Sequence, residues 1–328
     1  MAASRPLRGD WARRRVLVTG AAGFIGSWLV KDLLARGVRV TALVLERDPA
    51  SPFFRDGDAR RCAIVLGRLE DRRAVAKAVR GADTVFHLAA QTLVEPAWED
   101  PLETFESNIR GTYNLLEACR AEGKAVRRIV FASSDKAYGE QSRLPYGEDA
   151  PLAGRQPYEV SKSCGDLLAQ SYFHAYGLPV AVARCGNVYG GGDLHWSRIV
   201  PGTIRSLLRG ERPVLRSDGR DKRDYVYVKD VARAYLLLAD ALEPRRLAGG
   251  CFNFGPNRPL TVLALVAAIS RLMGSRLKPD IRATARGEIR HQYLSSAKAS
   301  RVLGWRPEYS LAEGLRETIS WYRGRLAR

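Results

Sequence analysis

The chain has 328 residues, 46% of them hydrophobic, which suits a globular protein of one large domain or two smaller ones sharing a core. No apolar run approaches the roughly 20 residues of a membrane span, so a membrane partner is excluded. Net charge is +18, yet only nine of the 53 basic residues are lysine. The arginines fall in scattered pairs such as Arg60-Arg61, Arg127-Arg128 and Arg245-Arg246. No basic stripe is interleaved with aromatics, which excludes nucleic acid as a partner. The charge is read as solvated surface, with a share in attracting an anionic substrate.

Residues 1–12 read as a loose leader, and the basic start carries no apolar region of the secretory type. Cys62, Cys119, Cys164, Cys185 and Cys251 are scattered and form no Cys-x-x-Cys pair. Neither structural zinc nor any other metal site is expected, nor a disulfide framework, and a reducing cytoplasm fits best.

Residues 16–19 predict a short buried strand. Gly20-Ala21-Ala22-Gly23-Phe24-Ile25-Gly26 follows and opens an amphipathic helix that Gly37 stops. A second strand over 38–44 completes a β-α-β unit. Gly20 permits the tight turn, Gly23 lets the backbone approach a pyrophosphate, and Gly26 lets helix and strand pack closely. The helix N-terminus supplies amide donors to phosphates. A glycine turn so placed points to a dinucleotide site.

The alternation continues with a strand over 63–66, a helix over 72–79 and a strand over 84–88. That strand runs into His87-Leu88-Ala89-Ala90-Gln91. A long helix over 104–122 carries Asn108. The apolar run 129–132 then ends in Ser133, Ser134, Asp135 and Lys136, two hydroxyls followed by an adjacent acid and base. Charges at a strand end suit catalysis, because loops at strand ends are where such folds place chemistry. A helix over 157–175 opens with Tyr158 and Lys162, four apart on one face. An ammonium beside a phenol favours the phenolate, so Tyr158 is expected to have a lowered pKa and to serve as general base. A strand over 179–184 follows.

Past Asn187 the character changes. Gly190-Gly191-Gly192-Asp193 is a flexible loop, a helix spans 199–209, and 216–223 is polar. Strand resumes over 225–228, and Asp230 is expected to cap a helix running to 242. Residues 259–328 form a small α-rich tail. Alternating strands and helices imply an α/β fold, a doubly wound parallel sheet covered on both faces. We divide the chain into a nucleotide-binding domain over 12–187 plus 225–258, and a smaller mixed, α-rich lobe over 188–224 plus 259–328.

These motifs together resemble the extended short-chain dehydrogenase/reductases that act on nucleotide sugars, a Rossmann-type family. The matching pieces are the glycine turn, His87-Leu88-Ala89-Ala90, Asn108, Tyr158-x-x-x-Lys162, Arg184-x-x-Asn187-x-Tyr189-Gly190, Arg223-Asp224-Tyr225-x-Tyr227-Val228-x-Asp230 and Leu303-Gly304-Trp305-x-Pro307. Ser134-Asp135-Lys136 with Gly190-Gly191-Gly192-Asp193 is most similar to the CDP-glucose 4,6-dehydratase group. The resemblance implies that Ser134, Asp135, Lys136, Tyr158 and Lys162 are catalytic. It implies dinucleotide contacts from Gly20, Gly23, Phe24, Ile25, Gly26, Leu69, Leu88, Ala89, Ala90, Asn108, Ser133, Tyr158 and Lys162. Substrate contacts are carried over to Gln91, Asn187, Arg198, Arg223 and His291, and a homodimer through helices 104–122 and 157–175 is expected. Leu115, Leu116 and Leu168 would then lie between subunits or on the sheet.

The implied reaction is an internal redox cycle on a nucleotide-diphosphate hexose. Tyr158 takes the C4 hydroxyl proton as hydride leaves C4. Lys136, neutral at that moment, removes the C5 proton, and Asp135 protonates the departing C6 hydroxyl. Hydride returns to C6. The alternative for Asp135-Lys136 is a simple ion pair, which would fit a 4-epimerase, where these positions are usually small and inert. A non-catalytic dinucleotide-binding regulator on the same fold would lack Tyr158 or Lys162, and both are present. Two positions depart from the family pattern. The ribose-binding acid expected after the second strand is Val44, with Glu46 or Asp48 as substitutes, while Arg47 suits a 2′-phosphate. NAD is expected, with NADP left open. The second departure is Arg68, where an acid often precedes the adenine contact.

Overall fold

The computed structural model describes residue 7 and residues 9–243, 247–284 and 289–326. Most of the expected leader and the Arg245-Arg246 pair lie outside the described residues. The leader's described end is not loose: Trp11–Arg13 form a 3-10 turn, and Trp11 is buried, its ring stacked 6.4 Å from that of Phe86.

Seven strands form one sheet: β1 (Arg15–Thr19), β2 (Arg39–Val44), β3 (Ala63–Leu66), β4 (Thr84–His87), β5 (Arg128–Ser134), β6 (Val180–Cys185) and β7 (Cys251–Phe254). Their order is β7-β6-β5-β4-β1-β2-β3, and every pair is parallel. All residues of β4 and β6 are buried, as strands covered on both faces must be. The order reverses between β1 and β4, which opens a crevice above their C-terminal ends, the usual ligand position in such sheets.

On one face pack Leu29, Val30 and Leu33 of helix Phe24–Ala35 with Val231 and Leu238 of helix Val228–Ala241. On the other pack Val75 and Val79 of Arg72–Val79, Leu115 and Leu116 of Gly111–Ala121, and Ala169 of Pro157–Tyr176. Full burial of each large aliphatic side chain contributes roughly 1.5–3 kcal/mol. Leu115 and Leu116 therefore face the sheet, and Leu168 packs against the same cluster.

A second core joins Tyr189, Val200, Ile204, Leu265, Leu315 and Tyr322. They come from helices Ile199–Leu208, Val262–Met273 and Leu311–Leu326 and the strand pair Asn187–Tyr189 with Tyr225–Tyr227. Helix Ala297–Leu303 and Trp305 instead join the core beneath the sheet, with Trp305 edge-on to Phe254 at 5.1 Å.

Two local readings are corrected. The expected helix over 104–122 is interrupted by a π turn, Glu106–Arg110, centred on Asn108. Asp230 does not cap helix Val228–Ala241, whose N-cap is Tyr227. Its carboxylate accepts the backbone N–H of Glu308 (2.8 Å) and Tyr309 (3.4 Å), and so ties down the chain after Trp305.

Candidate active site

The glycine turn closes over β1 as its spacing requires. Gly20 has a φ of 70°, and a Cβ there would meet Ala89 N at 2.8 Å. A Cβ on Gly26 would lie 2.0 Å from Gly20 O. Gly23 is exposed at the N-cap of Phe24–Ala35 and gives that helix no side-chain cap. The first-turn amides of Phe24, Ile25 and Gly26 are thus left for a ligand. Uncapped amides, the positive helix end and an open approach fit a dinucleotide diphosphate. Beyond β2, Glu46 and Arg47 are both exposed, while Asp48 accepts Ala50 N–H at 2.8 Å within its own turn. Glu46 is therefore the acid available to a ribose. Arg68 pairs with Glu103 at 2.9 Å and Glu70 at 3.5 Å. Leu69 is buried against Gly111.

The β4 end is braced from below. His87 Nδ1 lies 2.9 Å from Thr19 Oγ1, which accepts the N–H groups of Leu88 and Ala89 at 3.1 Å. His87 Nε2 lies 3.2 Å from Thr112 Oγ1, which itself donates to Asn108 O at 2.5 Å. Thr112 is committed as donor there, so His87 carries its proton on Nε2 and accepts at Nδ1. Burial, then the Lys162 charge, hold His87 down at about 3, so it is neutral. Asn108, buried by the π turn, accepts Gln91 N–H at 2.7 Å. It donates to Gln91 O and Ser161 Oγ, both at 2.9 Å. It locks the loop of Leu88, Ala89 and Ala90 to the helix of Tyr158.

That helix, Pro157–Tyr176, starts where it does because of Pro157 at its first position and a capping box between Gln156 and Glu159. Tyr158 thereby lies in the first turn. Burial pushes its phenol up to about 12, against the Arg198 cation and the neighbouring Ser134 hydroxyl. The expected lowering by Lys162 is not found. The Lys162 ammonium donates to Ala132 O at 3.2 Å, with Nζ 6.0 Å from the Tyr158 ring centroid. Burial lowers Lys162 to about 8.

At the end of β5 the two serines diverge. Ser133 Oγ donates to Asp166 Oδ2 at 2.7 Å and is committed to the helix beneath. Ser134 Oγ donates to Asp135 Oδ1 at 3.0 Å and accepts Lys136 N–H at 3.2 Å. Asp135 is 1% exposed and its Oδ2 makes no hydrogen bond. Burial raises its pKa, opposed by Lys136, Ser134 and Arg223.

Lys136 Nζ donates to Gln292 Oε1, and Gln292 Nε2 donates to Asp135 O at 2.9 Å. Gln292 is wholly buried and in register with Arg223. The sequence reading missed Gln292. Its neighbour His291 drew attention, but successive strand residues face opposite ways. In His291–Gln292 it is Gln292 that faces the acid/base pair, and His291 is exposed.

The remaining substrate candidates converge only in part. Arg198 donates to Asp193 Oδ2 at 3.1 Å and Thr92 Oγ1 at 3.0 Å, close enough to Tyr158 to act on its phenol. Arg223 is buried, donates to Lys222 O and Arg290 O at 3.0 Å each, and acts on Asp135. Gln91 spends its side-chain amide on Leu93. Asn187 is half-buried on its short strand. Among the described residues no group of His, Cys, Asp and Glu is placed to hold a metal, and no helix is long and apolar enough to cross a membrane.

Residues 16–253 match the model of the NAD dependent epimerase/dehydratase family. A dTDP-glucose 4,6-dehydratase of Streptomyces antibioticus is 36% identical over 94% of this chain and 92% of its own. A CDP-glucose 4,6-dehydratase of Salmonella typhimurium is 30% identical over 95% and 91%. The crystal structure of a UDP-glucose 4-epimerase of Thermotoga maritima with UDP-glucose superposes with a TM-score of 0.87 at 31% identity, over 95% and 99% of the two chains. With the glycine turn, the braced β4 loop and the Tyr158–Lys162 helix in one crevice, this chain belongs to the NAD-dependent epimerase/dehydratase family of nucleotide-sugar enzymes.

Proposed function

We propose that the protein is a nucleotide-sugar 4,6-dehydratase of the CDP-glucose type, converting an NDP-hexose to its 4-keto-6-deoxy form. The observation that carries this reading is the pair Asp135-Lys136 at the end of β5. The carboxyl is buried with a bare Oδ2, beside an ammonium that donates to Gln292 Oε1.

NAD, when bound, accepts and returns the hydride and adds a positive charge to the crevice. Glycines 20, 23 and 26 and the uncapped helix end hold its diphosphate, and Glu46 meets the adenosine ribose. Tyr158 Oη takes the proton from the C4 hydroxyl. Lys136 Nζ, as free amine, takes the proton from C5. Asp135, whose pKa burial raises, gives its proton to the C6 oxygen, which leaves as water while the C5–C6 double bond forms, and the Lys136 ammonium then returns its proton to C5. Arg198 and Arg223, from the lobe over 188–224 and 259–328, hold the substrate diphosphate.

The test is incubation with CDP-, dTDP-, UDP- and GDP-hexoses, read by mass spectrometry. Loss of one water is expected from one of them, with CDP-glucose the first choice. An isomer of unchanged mass from every productive substrate would instead make the protein a 4-epimerase. We also propose a homodimer through the helices that expose Leu102, Tyr113 and Leu167. A monomer by light scattering at micromolar concentration would refute it.

A further inference from the structure

At the end of the sheet opposite the crevice lies a cavity of about 520 Å³. Six arginines line it: Arg13, Arg14, Arg15, Arg39, Arg127 and Arg128. They come from the 3-10 turn and the N-terminal ends of β1, β2 and β5. Strands rise about 3.3 Å per residue, so β1 alone separates this cavity from the glycine turn by on the order of 15 Å. The family reaction uses none of these residues.

The guanidiniums outnumber the acids facing them. Asp10, Asp83 and Glu243 share the lining, and Asp240 accepts Arg14 Nη2 at 2.6 Å. Arg39 sits in register with Arg15 on the neighbouring strand, like charge beside like charge, and has no partner among the described residues. Two of the six are more than nine-tenths buried and under-used. Arg14 stacks its guanidinium 3.8 Å over the Trp11 ring, and its Nη1 has no acceptor. Arg128 meets Glu243 through Nη2, and Thr84 Oγ1 at 3.3 Å and Asp83 Oδ1 at 3.6 Å through Nη1, and its Nε has no acceptor. Burial, then the neighbouring Arg14 cation, hold Arg128 below its ordinary range. The mutual repulsion of these cations is relieved by an anion seated among them.

We propose that this cavity is a second ligand site, separate from the active site, that takes a small polyphosphate. Guanidinium forks match phosphate oxygens two at a time, and several in one hollow suit a chain of phosphates rather than a single charge. The volume lies within the usual range for a nucleotide-sized ligand. Its concavity favours a small anion over the flat face of an acidic protein.

The test is calorimetry on the full chain saturated with NAD, with inorganic triphosphate and ATP as separate probes. Arg39→Glu with Arg127→Glu changes two exposed rim residues and is expected to keep wild-type turnover. Binding of triphosphate should weaken at least tenfold in this double variant and persist in Arg198→Ala, which touches the active site only. ATP binding tenfold tighter than triphosphate would identify a nucleotide, and equal affinity an inorganic polyphosphate. Binding that disappears in Arg198→Ala but survives in the rim variant would overturn the proposal. So would no binding of either probe, which would leave the arginines as an internal ion-pair network.

Discussion

Two buried aspartates stand on either side of the β5 end and are treated in opposite ways. Asp166 is wholly buried and fully engaged. Its Oδ2 accepts Ser133 Oγ (2.7 Å) and Arg184 Nε (2.8 Å), and its Oδ1 accepts Arg184 Nη2 (2.9 Å) and Gln170 Nε2 (2.8 Å). Arg184 passes the network on through Nη1 to Tyr138 Oη at 2.7 Å, and Tyr138 donates to Asn253 Oδ1 at 2.7 Å. Burial alone would lower the Arg184 pKa, yet the Asp166 hydrogen bonds and charge hold it above its ordinary range. Asp135 is buried as deeply, has one hydrogen bond from Ser134, and keeps Oδ2 bare. A satisfied buried charge fixes architecture. An unsatisfied one is expensive to keep and is expected where a substrate completes it.

The largest effect should come from the unsatisfied side. Lys136→Ala removes the proposed C5 base, and losing a positioned base costs about 10²–10⁴ in rate. Oxidation at C4 should survive, so reduced cofactor should build up on addition of substrate, read by its absorbance, while water loss stalls. Wild-type-like epimer formation by Lys136→Ala, with no water lost by the wild type, would return Asp135-Lys136 to a structural ion pair. On the satisfied side, Asp166→Ala strands the Arg184 guanidinium, and breaking such a buried pair costs about 3–5 kcal/mol. Urea unfolding measures this. Asp135→Asn should behave oppositely, losing activity while its stability at neutral pH holds or rises, since burial already disfavours the Asp135 charge.

A third buried aspartate sharpens the contrast through pH. Asp224 accepts Leu294 N–H at 2.7 Å through Oδ2, and its Oδ1 is bare. Burial is the main cause that raises it from 3.8 to about 7, with Asp135 adding to the rise. A folded-state pKa above the unfolded one gives stability that is complete below pH 3.8 and is lost as pH rises through 7. Asp224→Asn should abolish that loss. The stability gap between variant and wild type should therefore widen by roughly 2.6 kcal/mol between pH 5 and pH 8. A gap independent of pH would mean that the folded protein leaves Asp224 at its ordinary carboxylate value.

The parts of this site that were legible in the sequence are those fixed by short-range geometry. Gly20 and Gly26 are forced by a positive φ and by a 2.0 Å approach, and each leaves a glycine in the sequence. Tyr158 and Lys162 follow from helical spacing, and the apolar runs of β4 to β6 from burial on both faces. What escaped depends on partners far along the chain or on environment. Asp230 beside an apolar run looks like a cap, but its hydrogen bonds go to Glu308 and Tyr309. The π turn at Asn108 leaves no mark on the helical pattern. The Tyr158 phenol was expected to be lowered by a neighbouring charge, whereas burial, which spacing does not report, pushes it up.

Gln292 is the residue that tests whether the unsatisfied side is positioned from outside the sheet. It lies on a two-residue strand in register with Arg223, and it holds Lys136 Nζ and Asp135 O at once. It touches no reacting atom in the proposed chemistry, so it is a positioning residue. Gln292→Met keeps length and removes both hydrogen bonds. Loss of one clamp on a mobile lysine should lower kcat roughly tenfold, about 1.4 kcal/mol, with KM little changed. A fall in turnover alone would also follow from a general loosening of the core. The acid limb of the pH–rate profile separates the two. An acceptor on an ammonium favours its charged form, so removing Gln292 Oε1 should let Lys136 become neutral at lower pH and move that limb downward. Gln292→Glu keeps the acceptor, adds a negative charge and should move the limb upward. If both variants leave the limb in place while lowering kcat, Gln292 serves the packing of its strand, and the link from the neighbouring strand of Arg223 to the acid/base pair is broken.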